Sequence, residues 1–202
     1  MKTAGLLAAA GASSRMGICK ALLPFRASAG GVEGVTFAQR IAEVFVAAGL
    51  DPVVVTVPPQ ESARIERSLA HLPVLVSENE RPEDGLSGSV TTALLHAVDA
   101  EAIVLAPVDC PFVDVALVQA LLVSLRRGVA AVPVVNGVRG HPVAFARASF
   151  ELLWSCAQTG GPRSVLDALG DDVYELPWSD ARICDDVDTP EDYLRLFGRP
   201  PI

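Results

Sequence analysis

The chain has 202 residues, half of them hydrophobic and a fifth charged. That is long enough for one domain, residues 1–202, with a real core, and too apolar for disorder. No apolar run reaches membrane-spanning length without a charge, a proline or a glycine, and a net charge of −8 argues against a general nucleic-acid surface. A small anionic ligand stays open, because a few cations in a cleft dominate locally.

Lys2 and the short apolar run after it superficially resemble a signal peptide, but the run passes into a patterned loop and then a regular domain. The four cysteines, Cys19, Cys110, Cys156 and Cys184, are scattered and form no CxxC, metal-finger spacing or disulfide framework. A reduced, cytoplasmic protein is expected, not attached to a membrane.

Residues 3–9 are small and apolar and read as a buried strand running into the loop of "LLAAAGASSRMGICKALLP". The segment "FRASAGGVEG" (25–34) reads as a surface loop. Phe37, Ile41, Val44, Phe45 and Ala48 fall on one face of a helix over 36–48, ended by Gly49. A β-branched strand follows at 52–57, then a helix in "ESARIERSLAHL", a strand at 73–77 and a helix over 86–98. The strand 102–106, "AIVLA", has no polar face, as expected inside a parallel sheet. Asp114 is expected to cap the next helix and Gly128 to end it. In "VAAVPVVNGVRGHPVAF" two apolar runs flank Asn136-Gly137, a hairpin signal. Two short helices, "VYELPW" and a last helix near 190–197 complete the chain, with Thr189 as cap, Pro190 in the first turn and Asp192 three residues on. Strand–helix alternation implies an α/β fold with a doubly wound, mostly parallel sheet, whose ligands bind beyond the carboxyl ends of the strands.

Four segments fall at that edge. The opening loop, Gly11 to Lys20, is neither GxxxxGK[ST] nor GxGxxG. Its small residues let backbone N–H groups face a ligand, while Arg15 offers a fork and Lys20 a point charge. Locally, a phosphate loop and an ordinary turn with two solvated cations both fit. Asp109, just past the most buried strand in "LAPVDCPFV", suits either a Mg²⁺ ligand or a cap. In "ICDDVDTPED" five carboxylates occupy eight positions. Capping and the helix dipole account for Thr189, Glu191 and Asp192, and solvent for Asp185, which leaves Asp186 and Asp188. The small residues from Gly85 to Ser89 in "NERPEDGLSGSV" read first as a helix start capped by Asp84 or Ser87, and alternatively as the approach for a flat ring. His141 in "RGHP" suits a substrate contact or a structural role. Trp154 and Trp178 read as core or interface.

Together the segments resemble the MobA-like NTP transferases. "LAAAGASSRMGICKALLP" resembles the family's signature loop, "DGLSGSVTTAL" its glycine/serine segment and "LAPVDCPFV" its DxP metal motif. "GVRGHPVAF" resembles its RGHP strand, "TGGPRSVLDAL" a glycine–arginine helix start, and "DDVDTPEDYLRL" the closing DxDTPEDY. The order is the family's and spans nearly the whole chain; the long link "FRASAGGVEGVTF" departs from it. The resemblance implies a Rossmann-like three-layer α/β/α fold of the nucleotide-diphospho-sugar transferase type, mostly parallel with a β-hairpin insertion. It also implies Mg²⁺-dependent transfer of CMP, or else GMP, from a nucleoside triphosphate to an acceptor phosphate, with molybdopterin the family's usual acceptor and a molybdoenzyme or its maturation factor as a further partner. Gly11, Arg15 and Lys20 match the triphosphate loop, with Ala9, Ala10 and Ser13 beside them. Gly85, Ser87 and Ser89 match the segment near the base, and His141 a position facing the acceptor. Asp109 matches the metal aspartate, and Asp186 and Asp188 match the closing motif, with Asp186 expected as the second metal contact. Arg15, Lys20 and Asp109 are the expected catalytic set. The rivals are a sugar-phosphate or alditol-phosphate nucleotidyltransferase and a non-catalytic molybdopterin-cofactor carrier. A monomer or weak dimer is the default expectation.

Overall fold

A computed structural model describes residues 2–11, 13, 15–25, 34–79, 84–155 and 160–201. Most of the loop expected at 25–34, together with Cys156, Ala12, Ser14, Thr159 and residues 80–83 of the glycine/serine segment, lies outside the described residues.

Strand β1 (Thr3–Ala8) is followed by α1 (Phe37–Ala47), β2 (Val53–Val57), α2 (Ser62–Leu69), β3 (Leu75–Glu78), α3 (Gly85–Leu94) and β4 (Ala102–Pro107). Each of β2, β3 and β4 joins the sheet in parallel, in the order β3-β2-β1-β4. The chain therefore builds outward on one side of β1, then returns to its other side. That reversal opens a crevice beyond the carboxyl ends of β1 and β4.

The second half comprises α4 (Val115–Ser124), β5 (Ala130–Val135), β6 (Val138–Arg139), β7 (Val143–Ala146), α5 (Phe150–Ser155), α6 (Pro162–Leu169), β8 (Val173–Pro177) and α7 (Pro190–Phe197). The expected hairpin is present: Asn136 and Gly137 have φ of +51° and +79°, the left-handed pair that a two-residue turn between twisted strands requires. Its returning arm runs inside the sheet, because β7 inserts antiparallel between β4 and β5. An antiparallel strand begins where its neighbour ends, so the start of β7, just after His141, lies at the same edge as the end of β4. β8 pairs in parallel with β5 and completes a sheet of eight strands among the described residues.

Alternate residues of the central strands feed opposite cores. Leu7, Val104 and Ala106 pack with Phe37 and Ile41 of α1, Leu117 and Leu121 of α4 and Tyr193 of α7. Leu6, Ile103 and Leu105 pack with Val90 and Leu94 of α3, Leu153 of α5 and Val165 of α6. The result is the three-layer α/β/α arrangement. Among the described residues no helix is long and apolar enough to cross a membrane.

The caps expected from Asp114 and Thr189 are present, and Thr36, expected inside its helix, adds another. Thr36 Oγ1 accepts from Gln39 N, Asp114 Oδ1 accepts from Leu117 N at 2.7 Å, and Thr189 and Asp192 form a reciprocal box with Pro190 in the first turn. Most expected boundaries shift by a few residues, and two of the shifts have an identifiable cause. The helix expected over 86–98 ends at Leu94, because His96 N, Ala97 N and Ala100 N bond to carbonyls three residues back and turn the chain into β4. Gly128 does not end α4, which closes at Leu125. A Cβ at Gly128 would lie 2.4 Å from the carbonyl oxygen of Asp172, so close approach of two backbones explains the glycine.

Candidate active site

The loop after β1 is anchored at both ends. Ala9 N donates to Thr56 O, and Met16, Ala21 and Leu23 are buried in the core. Between these anchors the chain winds around Ser13. Its carbonyl accepts from Met16 N and Gly17 N, and its Oγ accepts from Lys20 N at 3.2 Å. Ser13 itself has φ +48°, a left-handed conformation uncommon for a residue with a side chain and one that tends to occur at functional loops. Arg15 is thereby held at the exposed tip, and Lys20 at the start of a short 3₁₀ turn with its side chain only 13% exposed.

β4 supplies the opposing wall. Val108 N donates to Ala8 O, tying the ends of β1 and β4 together, and Asp109 follows. Val187 N donates to Asp109 O at 2.9 Å, which draws the closing segment alongside. Val187 is fully buried, so in this extended stretch its neighbours Asp186 and Asp188 turn the other way, toward the cleft. A third arm comes from the hairpin. His141 N donates to Ile183 O, and a Cβ at Gly140 would lie 2.7 Å from that same oxygen, so only glycine lets the two segments meet there.

These arms enclose a cleft of 420 Å³, the size of a small-ligand site. Of the residues singled out from the sequence, Gly11, Ser13, Arg15, Lys20, Ser89, Asp109, His141, Asp186 and Asp188 line it. Ala9 and Ala10 are buried beneath the loop. Gly85 begins α3 with φ +59°, and Asp84 makes no side-chain cap bond there. Ser87 is buried within α3, its Oγ 3.2 Å from where a Cβ of Gly161 would stand. Ala8, Leu86, Pro107 and Val108 line the cleft as well, which the sequence reading did not single out. Leu86 stood inside the quoted glycine/serine segment, but an apolar residue at a helix start carries no chemical signal of its own. Trp178 is partly buried against the core and Trp154 is 40% exposed on α5, away from the cleft.

Charge is paired across the cleft. Lys20 Nζ donates to Asp109 Oδ2 at 2.9 Å and to Asp188 Oδ1 at 2.5 Å, while Arg15 Nη2 lies 2.7 Å from Asp188 Oδ2. Burial pulls the Lys20 ammonium down, but Asp109 and Asp188 outweigh it and leave it above its ordinary value. The bond from Lys20, against a smaller opposing effect of burial, holds the Asp188 carboxyl below the usual range, with help from the Arg15 charge.

The three candidate metal carboxylates divide into two and one. Asp188 faces the two cations. Asp109, whose Oδ2 also holds Lys20, meets Asp186 at the Cys110 thiol, whose Sγ lies 3.7 Å from Asp109 Oδ1 and 3.0 Å from Asp186 Oδ1. Burial pushes that thiol well up, and both carboxylates push it further, so it stays protonated and donates to Asp186. Cys110 was read from the sequence only as a redox indicator; its neighbours come from the fold. Among the described residues no cluster of three or more His, Cys, Asp or Glu side chains is spaced to enclose a metal. Asp109 and Asp186 fit an ion of the Mg²⁺ type, which takes one or two protein carboxylates and fills its other positions with phosphate and water.

His141 Nδ1 is buried without a hydrogen-bond partner. Burial lowers the imidazole below its ordinary 6.5, opposed by Asp186 and Asp109, so the ring is neutral at pH 7. The unfolded chain therefore takes up the proton first. Stability on this account is full above about pH 6.5 and is lost as pH falls through that value toward the lower folded pKa. Thermal midpoints in EDTA between about pH 7.5 and 5 should fall more steeply for the wild type than for His141→Gln; equal slopes would remove the titration from His141.

The family model for the MobA-like NTP transferase domain matches residues 5–173. The chain belongs to this family. It is a nucleotidyltransferase by family, and solved structures agree with its fold. Rv0371c from Mycobacterium tuberculosis H37Rv is 26% identical over 98% of this chain and 99% of its own, with a TM-score of 0.83. The manganese complex of that protein aligns over 98% and 99% at 25% identity, with a TM-score of 0.76. Molybdopterin-guanine dinucleotide biosynthesis protein A from Archaeoglobus fulgidus shares the fold at 16% identity over 97% of both chains, with a TM-score of 0.68. No curated protein matches the sequence.

Proposed function

We propose that the protein transfers a nucleoside monophosphate, CMP by preference and GMP otherwise, from the triphosphate to an acceptor phosphate on molybdopterin cofactor, releasing pyrophosphate. The observation that carries this reading is the meeting of Arg15 and Lys20 with Asp109, Asp186 and Asp188 in one cleft beyond β1 and β4. Cations alone would suit any anion, and carboxylates alone any cation; the two together suit a metal–polyphosphate. The choice of cytidine rests on "LAAAG", "KALLP" and "RGHP"; the choice of acceptor rests on the family.

An acceptor oxygen attacks the α-phosphorus, the α–β bridging bond breaks, and its electrons leave with pyrophosphate. No side-chain nucleophile is required, because positioning and charge neutralisation carry this class of reaction. Arg15 and Lys20 grip the leaving pyrophosphate, Arg15 as a fork and Lys20 as a point charge. Asp109 and Asp186 would hold a divalent ion, which when bound neutralises phosphate charge and polarises the α-phosphate. The neutral His141 beside them offers a hydrogen bond to the acceptor without adding charge.

Calorimetric titration with CTP, GTP, ATP and UTP, each with Mg²⁺, and with NAD as a control, tests the reading. Metal-dependent binding of CTP is the expected result, followed by pyrophosphate release once molybdopterin is added. Binding of NAD, or of no triphosphate with or without the acceptor, would overturn it.

A further inference from the structure

Before any phosphate arrives, one side chain already bridges Arg15 and Lys20, while Asp109 holds Lys20 as well. Asp188 offers Oδ1 to Lys20 Nζ at 2.5 Å and Oδ2 to Arg15 Nη2 at 2.7 Å. A carboxylate that gives one oxygen to each of two cations competes for donors that two oxygens of a phosphate group would use. The backbone on either side of Asp188 is fixed, by buried Val187 before it and by the Thr189–Asp192 box after it. The side chains themselves reach water, Asp188 being 29% and Arg15 70% exposed. Exchange of partners therefore needs only side-chain rotation.

We propose that Asp188 is an internal counter-anion. It orients Arg15 and Lys20 between turnovers, yields them to the β- and γ-phosphates of the incoming nucleotide, and reclaims them as pyrophosphate leaves. The inference rests on the nucleotidyltransferase reading and makes Asp188 a positioning residue that competes with product. Asp109 and Asp186, turned to each other across Cys110, are left as the pair for the metal.

Asp188→Asn keeps the shape and removes the charge. Inorganic pyrophosphate titrated in EDTA should bind this variant about ten-fold tighter than the wild type, because one nearby like charge is gone. Adding Lys20→Ala should abolish the gain. In turnover, kcat should fall while KM for the triphosphate also falls and pyrophosphate inhibits more strongly, a split that loss of a merely structural contact would not give. Asp188→Ser serves the same test if the first variant folds poorly. Unchanged, weaker or undetectable pyrophosphate binding in the variants would overturn the inference. Weaker binding of the Mg²⁺–triphosphate alone, with metal-free pyrophosphate unchanged, would make Asp188 a metal ligand instead. If the wild type binds no triphosphate with Mg²⁺, with or without the acceptor, yet the variant gains pyrophosphate affinity, the counter-anion role stands and the transferase reading falls.

Discussion

Asp109→Ala should slow pyrophosphate release by at least roughly a hundred- to a thousand-fold, the usual effect of deleting one electrostatic contact to a developing charge. Asp109 acts in two directions. Its Oδ2 holds Lys20 Nζ at 2.9 Å, and its Oδ1 faces Asp186 across the Cys110 thiol. Alanine thus removes half of the carboxylate pair and one of the two anchors of Lys20. Arg15→Ala should lose at least as much turnover by a different route. Arg15 is 70% exposed and its recorded ion pair is to Asp188, and an exposed pair of this kind adds little to stability. The same guanidinium gains strength once a bound polyphosphate excludes water from the cleft. The Arg15 variant should therefore melt at the wild-type temperature while losing activity. Steady-state assays alongside thermal melts check both, and near-normal turnover in either variant would sink the assignment of that residue.

Phe37→Ala should cost about 3–5 kcal/mol, a large share of the 5–15 kcal/mol that holds a typical domain together. Phe37 is fully buried. Its ring stacks on Tyr193 at 6.1 Å between centroids, lies 5.7 Å from Phe197 and meets Phe25 edge-on at 6.3 Å. Phe112 joins the group through Phe25 and Phe197. This aromatic cluster gathers the segments that carry the site: Phe25 follows the Lys20 turn, Phe112 follows Asp109, and Tyr193 and Phe197 belong to the helix that starts after Asp188. Tyr193 adds a hydrogen bond from its hydroxyl to Pro24 O at 2.6 Å. A protein of this size should lose about 6–20 °C in Tm, with Phe37→Leu losing less. Activity should disappear at a lower temperature than in the wild type, because the loosened cluster frees all three segments together. A loss under about 1 kcal/mol by chemical denaturation would mean the rings are not closely packed.

The elements were legible because their causes are local. Asp114 and the Thr189–Asp192 pair cap helices through bonds spanning three residues, and Asn136-Gly137 makes its turn from its own backbone preferences. The unbroken apolar run of β4 reports burial on both faces, which a central strand covered by helices on each side provides, although its neighbour β7 runs antiparallel. Motif order likewise led to the family and to the charged residues that line the cleft, but not to its apolar lining of Ala8, Leu86, Pro107 and Val108. The helix end at Leu94 and the need for Gly128 escaped this reading, because each depends on a segment distant in sequence or on how the chain must re-enter the sheet.

The sequence by itself thus determined the elements, the parallel sheet and the set of charged side chains at one edge. The tertiary structure decided how those charges are shared. Read locally, "DDVDTPED" leaves Asp186 and Asp188 as a pair, and the family resemblance alone favours Asp186 for the metal. The bond from Val187 N to Asp109 O and the burial of Val187 set the segment's register, which sends Asp188 to Lys20 and Arg15 and leaves Asp186 with Cys110 and Asp109. Lys20 and Asp188 lie 168 residues apart. Capping and periodicity act over a few neighbouring residues, whereas an ion pair at that separation exists only after β1, β4 and the closing segment have been packed side by side.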